Sequence, residues 1–583
     1  MKYPQLTELQ TTREIVDVFK GYNHNLRIGD GEFYEMTNLS SDNYPVLSPR
    51  HKRGIYMSPS KPQGMVAKDA LCYVDGGDFV INEYRVEMGL TEDDTPKTLI
   101  SMGAYVIIMP DKKYINTAPK ADGGYEHGPI EAEVETSDTV TFSLCKMDGE
   151  GYDDVVAQAT APSSPENMDL WIDTSEIPHQ LKQYSSTTAM WSAIATTYIK
   201  ISATGIGTPF SENDGVTISG VESTQLSDLN ASMVIWAKGD NYIVVTGILD
   251  QVTTQTNSIK VTRKMPNMDF VIESDNRLWG CRYGVALNGE IVNEIYASKL
   301  GDFKNWNCFM GISTDSYAAT VGTDGQFTGA ITHLGYPLFF KENYIHKVYG
   351  NYPANYQIQT TACRGVQKGC SRSLAIVNEV LYYKARSAVC SYDGSLPVEM
   401  SSALGDMTYE QAVAGSLGNK YYISMQDANG GYHLFVYDTK KGMWHREDDT
   451  QATDFCNCRG DLYFIDWADN TIKTVRGTGV EETAPIKWNA TTGVIGTDSP
   501  DKKYISRLDV RMSLEVGTRV AFYAEYDSCG AWEYLFTMTG TRLGSFAVPI
   551  RPRRCDHMRL KIIGDGEAKV YSICKTTEQG SDV

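Results

Sequence analysis

A serine and a lysine near the N-terminus are the first residues whose types and spacing suggest chemistry. Ser58 and Lys61 have the S-x-x-K spacing of enzymes whose nucleophile and base share one helical turn. Pro59 and Pro62 oppose a helix at this position, so we interpret the match as chance. The sequence contains no GxSxG, HExxH or phosphate-binding glycine loop, and its nine His are not at metal-ligand spacing.

Two short acidic segments offer clustered oxygens of the kind that calcium prefers. They are Asp75-Gly-Gly-Asp78 and the segment from Asp466 to Asn470. Both lie where hairpin turns are expected, and Asp and Asn favour such turns by bonding their own backbone. We therefore predict turns rather than calcium sites.

A Tyr-Asp-turn-Gly-x-Trp layout occurs at 437–444 and 526–532, with a fragment at 391–394. It resembles the Asp-box turn of sialidase propellers, in which Asp closes the turn and Trp packs across strands. A sialidase also needs an arginine cluster and an acidic/tyrosine nucleophile pair, which this sequence does not assemble. We therefore predict no catalytic, cofactor-binding or metal-ligating residue, no cofactor, and a protein that is not an enzyme.

A repeated unit supplies the elements that would position these residues. Short aromatic and β-branched strands, each followed by a polar turn and a second strand, recur about every 40 residues around Phe339, Tyr382, Tyr422 and Tyr463. This period is typical of β-propeller blades. Aromatic residues at strand centres could stack on sugars, but we expect them to fill the space between blades.

Composition limits the classes of partner. The 583 residues carry a formal net charge of −20, which opposes general affinity for nucleic acid or anionic membranes; 551–554 is the one compact basic run. The 12 Cys form no CxxC pair, so we expect reduced thiols. No signal-peptide core or apolar run of about 18 residues occurs, which predicts a soluble chain without a secretion signal.

The pattern along the chain predicts an all-β fold: an interrupted β-propeller with an inserted β-sandwich or barrel-like module and a C-terminal β-sandwich. One short helix is expected from Thr11 to Phe19 within an extended arm. The predicted divisions are an N-terminal arm, the first part of the propeller, the inserted module, the main part of the propeller and the C-terminal module, at 1–60, 61–125, 126–264, 265–480 and 481–583.

Several short sequence segments with strand and turn patterns resemble one protein family. NRLWGC at 276–281 and EIYASKLGDFKNW at 294–306 are similar to the start of the propeller in tail nozzle or hub proteins of tailed bacteriophages, also called packaged-DNA stabilisation proteins. The likeness continues in TGAITHLGYPLFFKENYIHKVYG at 328–350, LYYKARSAVCSYDGS at 381–395 and MGAYVIIMPDKKYINT at 102–117.

This resemblance implies a structural virion protein of the tail or neck, made in the host cytoplasm. It implies a homo-oligomeric ring, a hexamer by the pattern of the family, next to adaptor, portal and tail proteins. Such a ring surrounds the DNA channel, retains the packaged genome, takes part in ejection and contacts DNA transiently, without stable membrane association. The alternatives left open are a receptor- or glycan-binding propeller at a tail tip and, third, a glycoside hydrolase propeller.

Overall fold

The computed structural model describes residues 11–285, 289–496, 502–540, 543–550 and 553–579. In this part of the chain, short antiparallel strands dominate, which confirms the all-β prediction. Helical structure consists of four 3-10 turns at Thr224–Leu229, Pro353–Asn355, Ser371–Ser373 and Ser402–Leu404. No described helix is long and apolar enough to cross a membrane.

The chain divides into two compact units. One comprises Met1–Lys97, Phe339–Ile345 and Thr361–Val583, and the other comprises Thr98–Leu338 and His346–Thr360. Each contains blades of the interrupted propeller, and a blade here is a set of four antiparallel strands paired in series.

The first unit contains four such blades, numbered here in chain order. Blade 1 consists of Pro62–Ala67, Leu71–Asp75, Asp78–Ile81 and Tyr84–Glu87. Blade 5 consists of Ala375–Val377, Val380–Lys384, Val389–Tyr392 and Val398–Glu399. Blade 6 consists of Tyr409–Leu417, Lys420–Asp427, Tyr432–Asp438 and Met443–Arg446. Blade 7 consists of Ala452–Cys458, Asp461–Asp466, Thr471–Thr474 and, from the N-terminal segment, Gly54–Met57, flanked by Val480–Glu481.

Apolar side chains between neighbouring blades form the core of this unit. Tyr463 of blade 7 packs in one cluster with Leu71 and Tyr73 of blade 1. Tyr422 of blade 6 packs in another with Phe464 of blade 7. The centres of all four sequence repeats are at most 6% exposed, as expected for aromatic residues that fill the space between blades.

The second unit contains two complete blades. Blade 2 consists of Thr98–Met102, Tyr105–Met109, Lys113–Asn116 and His127–Pro129. Blade 3 consists of Phe270–Ser274, Arg277–Val285, Ile291–Ala297 and Tyr317–Thr320. Blade 4 consists of Phe327–His333, Tyr336–Lys341, Tyr344–Tyr349 and Gln357–Ala362.

The inserted module lies between blades 2 and 3 in the chain and contains three sheets. The first consists of Ala132–Glu135, Lys260–Arg263, Gly215–Ser219 and Ser232–Val234. The second consists of Ala237–Gly239, Tyr242–Thr246, Tyr198–Ser202, Val140–Cys145 and Thr253–Gln255, and the two share one apolar core. The third, smaller sheet consists of Val156–Gln158, Leu170–Asp173, Gln180–Ser185 and Met190–Ala193.

A buried polar cluster fixes the inserted module to blade 3. Asp214 pairs with Arg263, and its other oxygen accepts a hydrogen bond of 2.9 Å from the Asn305 amide. Asn305 in turn accepts a hydrogen bond from the backbone N–H of Gly215 at 2.9 Å. Because all these groups are buried and mutually bonded, the module is held in one orientation against the 298–316 loop of blade 3.

The C-terminal module is a sandwich that incorporates the N-terminal segment. One sheet consists of Thr11–Val16, Ala568–Gln579, Lys503–Leu514 and Gly544–Val548. The other continues blade 6 into a ten-stranded sheet through Gly21–Tyr22, Glu32–Thr37, Lys487–Thr492, Met558–Asp565, Arg519–Tyr526 and Glu533–Thr539. Leu39–Ser40 and Ser48–Pro49 form a separate two-stranded ladder.

The predicted helix from Thr11 to Phe19 is wrong. Thr11–Val16 is a strand that pairs antiparallel with the C-terminal strand from Ile573 to Glu578. Its β-branched residues suit a strand, and the long C-terminal strand supplies the backbone partners that the sequence does not reveal. Much of the segment expected to be an extended arm is thus sheet, while the other predicted domain boundaries stay predictions.

Candidate functional site

The residues singled out from the sequence have structural partners. Lys61 lies outside any helix and donates a hydrogen bond to the Glu92 carbonyl at 2.7 Å while pairing with Asp94 at 2.9 Å. Its partners therefore come from the 92–94 loop, and Ser58 precedes it on extended chain. The geometry that an S-x-x-K enzyme needs, with both residues on one helical turn, is not formed here.

The two acidic turns are neutralised by cations of this chain. Asp75 accepts hydrogen bonds from Ser60 and from the backbone of Lys61, and it pairs with Arg85, as does Asp78. Lys473 lies 2.7 Å from Asp466 and 2.8 Å from Asp469. These contacts support the interpretation of both segments as structural turns.

The Tyr-Asp-turn-Gly-x-Trp segment of blade 6 also has a packing role. The rings of Tyr437 and Trp444 lie 4.9 Å apart, and Trp444 Nε1 donates to the Met400 carbonyl at 2.8 Å. Asp438 accepts hydrogen bonds from two backbone N–H groups of the turn and from Ser41 Oγ. The motif therefore closes a hairpin and joins it to the N-terminal segment.

Three neighbouring strands of the first unit share an irregularity that sequence reasoning did not find. A β-bulge interrupts the first strand of blades 1, 6 and 7, between Pro62 and Gly64, between Glu410 and Val413, and between Ala452 and Asp454. Gln411, in the second of these bulges, has a φ of 48°. Bulges re-aim side chains and are enriched beside functional sites.

Asp454 follows the blade 7 bulge and is held by contacts from two other segments. Its Oδ2 accepts a hydrogen bond of 2.8 Å from the backbone N–H of Met65 in blade 1, and Arg372 lies 3.8 Å away. Burial raises the pKa of Asp454, and the Arg372 guanidinium opposes that shift only in part. The side chain is still 19% exposed, so it remains reachable from solvent.

Arg372 is held by backbone carbonyls. Its two terminal nitrogens donate to the Thr453 carbonyl and to the Lys97 carbonyl, each at 2.9 Å. Together, Arg372 and Asp454 offer a fixed set of donors beside a carboxyl group that binds its proton more readily than usual. That combination can hydrogen-bond a hydroxyl-bearing ligand, and we define it as the candidate site. An acidic residue within the strand-like run ATDFCNC at 452–458 was the available sequence signal.

A second buried polar cluster ties the N-terminal segment to blade 6. Arg53 lies 2.9 Å from Glu447 and 2.8 Å from Asp448, and both Arg53 and Glu447 are at most 6% exposed. Burial alone would raise the pKa of Asp448, but Arg53, together with Thr450 and Arg50, outweighs burial and lowers that pKa to about 2. This cluster holds in place the segment that supplies the fourth strand of blade 7.

The fold defines this chain as a β-propeller protein with an inserted β-module and a C-terminal β-sandwich. No family model matches the sequence, and no curated protein matches it. Among solved structures, an exo-β-1,3-galactanase from Phanerochaete chrysosporium is 8% identical, with 52% of this chain and 94% of that chain covered and a TM-score of 0.21. An engineered GH43 glycoside hydrolase is 9% identical, with 52% and 96% covered and a TM-score of 0.19. A sialidase from Trypanosoma rangeli is 9% identical, with 91% and 95% covered and a TM-score of 0.19.

These structures correct one prediction. They are glycoside hydrolases and a sialidase, so the prediction that the chain is not an enzyme is wrong and is withdrawn. At TM-scores near 0.2 the likeness assigns no reaction, substrate or catalytic residue to this chain.

Proposed function

We propose that this protein is a structural component of the tail or neck of a tailed-bacteriophage virion. In this role it forms a nozzle or hub ring around the DNA channel, retains the packaged genome and takes part in its ejection. The phrases that resemble this family support the proposal, because they coincide with blade strands. The segments are 102–117 in blade 2, 276–281 and 294–306 in blade 3, 328–350 in blade 4 and 381–395 in blade 5.

The observation that carries the proposal is the ten-stranded sheet of the first unit. Tyr22 pairs with Trp444 at the edge of blade 6, and Glu32–Thr37 pairs with Lys487–Thr492 of the C-terminal module. Strand pairing thus links a propeller blade to the terminal sandwich within one sheet. Such continuity transmits load between modules, which suits a particle part that resists the pressure of packaged DNA.

Close packing makes this junction specific. Gly21 has a φ of 83°, and a Cβ at this position would overlap the Trp444 carbonyl oxygen. Only glycine combines that backbone conformation with so close an approach. The junction therefore depends on Gly21, so a substitution of Gly21 tests the role of the junction in assembly.

The proposed partners are further copies of this chain in a ring, the adaptor or portal above and tail proteins below. Genomic DNA is a transient partner. The net charge of −20 favours sliding of DNA over binding, because like charges repel the phosphates.

The test is negative-stain microscopy of the purified protein, alone and mixed with a portal and adaptor of a tailed phage. Rings that dock coaxially on the portal support the proposal. Monomers or trimers that ignore the portal and are retained on immobilised glycans refute it and favour a receptor-binding propeller. Gly21→Ala should prevent coaxial docking, whereas Gly418→Ala, with a φ of 59° and nothing within 4 Å of the added carbon, should not.

An enzymatic activity is measured separately. Purified protein is incubated with a panel of aryl glycosides, and any turnover is compared with that of Asp454→Asn. Turnover that this substitution abolishes assigns the candidate site a catalytic role, whether or not the protein also forms rings. Turnover that persists in Asp454→Asn excludes Asp454 as its catalytic acid.

A further inference from the structure

The inserted module contains a cleft of about 890 Å³ between its small third sheet and its sandwich. Pockets that hold small organic ligands typically have about 300–1,000 Å³. The cleft has an apolar floor of four almost fully buried side chains, Leu181, Ile199, Leu226 and Leu229. This floor can accept an aliphatic body of several carbons.

One end of the cleft carries an oriented histidine–aspartate pair. His179 Nδ1 lies 2.8 Å from Asp250 Oδ1, and the two side chains are 26% and 24% exposed. When Nδ1 carries the proton and donates it to Asp250, His179 Nε2 is left as an acceptor. Within the described chain, neither His179 Nε2 nor Asp250 Oδ2 has a hydrogen-bond partner.

The charges around the cleft have one sign. Asp228 and Asp250 are part of its lining, and none of the described lining residues is Lys or Arg. Besides His179, the Gln225 amide nitrogen is a nearby donor, 3.4 Å from His179 Nδ1. A ligand that brings its own donors therefore satisfies these groups, whereas an anionic ligand meets acceptors and negative charge.

We propose that this cleft binds a small amphiphile with an aliphatic body and a donor-bearing head group, preferably a primary amine. The body occupies the leucine and isoleucine floor. The ammonium group donates to Asp250 Oδ2, the carboxylate oxygen that His179 does not use. This site is separate from the propeller strands and does not depend on the proposed role in a virion.

The test uses three probes of one chain length, n-octylamine, n-octanol and n-octanoate, titrated against the full-length protein by calorimetry. We expect octylamine to bind about tenfold or more tightly than octanol, as a charge-assisted hydrogen bond implies. Octanoate should bind more weakly than octanol. In Asp250→Asn the advantage of the amine over the alcohol should disappear while octanol binding is kept.

A matched pair of variants locates the binding. Ala193 and Ser192 are neighbours on the last strand of the small sheet, both exposed, and only Ala193 lines the cleft. Successive strand side chains point to opposite faces, so Ala193→Trp fills the cleft and Ser192→Trp does not. We expect all probe binding to be lost in the first and kept in the second. Octanoate binding as tightly as octylamine, or unchanged binding in Ala193→Trp, would overturn the proposal.

Discussion

Replacement of Arg53 by Ala should release the N-terminal segment from blade 6. The substitution leaves Glu447, which is 5% exposed, and Asp448, which is 23% exposed, without their shared cation. Removing one partner of a buried ion pair costs about 3–5 kcal/mol. The lowering of the Asp448 pKa from 3.8 to about 2, to which Thr450 and Arg50 also contribute, accounts for at most roughly 2 kcal/mol of this at neutral pH.

Hydrogen exchange of the strand that Arg53 precedes is the appropriate assay. Gly54–Met57 pairs with Thr471–Thr474 in blade 7, so opening of the segment exposes these amides. Because each 1.4 kcal/mol is about a factor of ten, exchange there should accelerate on the order of 100-fold or more. Arg364→Ala is the matched control, since its pair with Glu399 is 55% and 45% exposed and should change local exchange only a few-fold.

The pH dependence of stability is a second test of the Arg53 cluster. Since the pKa of Asp448 is lowered in the folded protein, its contribution is fully present above pH 3.8 and is lost as pH falls towards 2. Arg53→Ala should flatten this acid-induced loss of stability in urea unfolding followed between pH 5 and pH 2. If Arg53→Ala and Arg364→Ala behave alike, or the acid dependence is unchanged, the ion cluster does not hold the segment.

Three further perturbations have expected outcomes. Gly21→Ala should lower the thermal midpoint measurably more than Gly418→Ala, because the former creates an overlap with the Trp444 carbonyl in addition to the shared strain. Asp454→Asn should change the free energy of unfolding at pH 7 by less than about 1 kcal/mol, since an amide oxygen still accepts from Met65 N–H and a buried charge is removed. Asp454→Leu should cost about 1–3 kcal/mol by urea titration. Arg277→Met should expose the 298–316 loop to limited proteolysis, because three carbonyls of that loop lose their buried donor; equal cleavage rates would contradict this.

The candidate site was only partly predictable. The aromatic repeat centres indicated the blades. The acidic turns and the Tyr437–Trp444 motif were interpreted as structural, and their side chains have partners within this chain. Asp454 was missed because its burial comes from blade 1, which lies almost 400 residues earlier in the chain. The cleft at His179 was missed because Asp250 meets it only through folding of the inserted module.

The sequence by itself determined the local properties of this protein. These properties depend on residues that are close in the chain. Alternating apolar residues with Gly and Asn at turns predicted the strands, and the 40-residue repeat and its interruption predicted the blades and the insertion. Only the tertiary structure shows that Thr11–Val16 is a strand of the C-terminal module and Gly54–Met57 a strand of blade 7. Their backbone partners belong to residues more than 400 positions away, and no local periodicity carries that information. The bulged strands, the Arg53 cluster and the histidine–aspartate pair also escape sequence reasoning, because each depends on pairing between residues far apart in the chain.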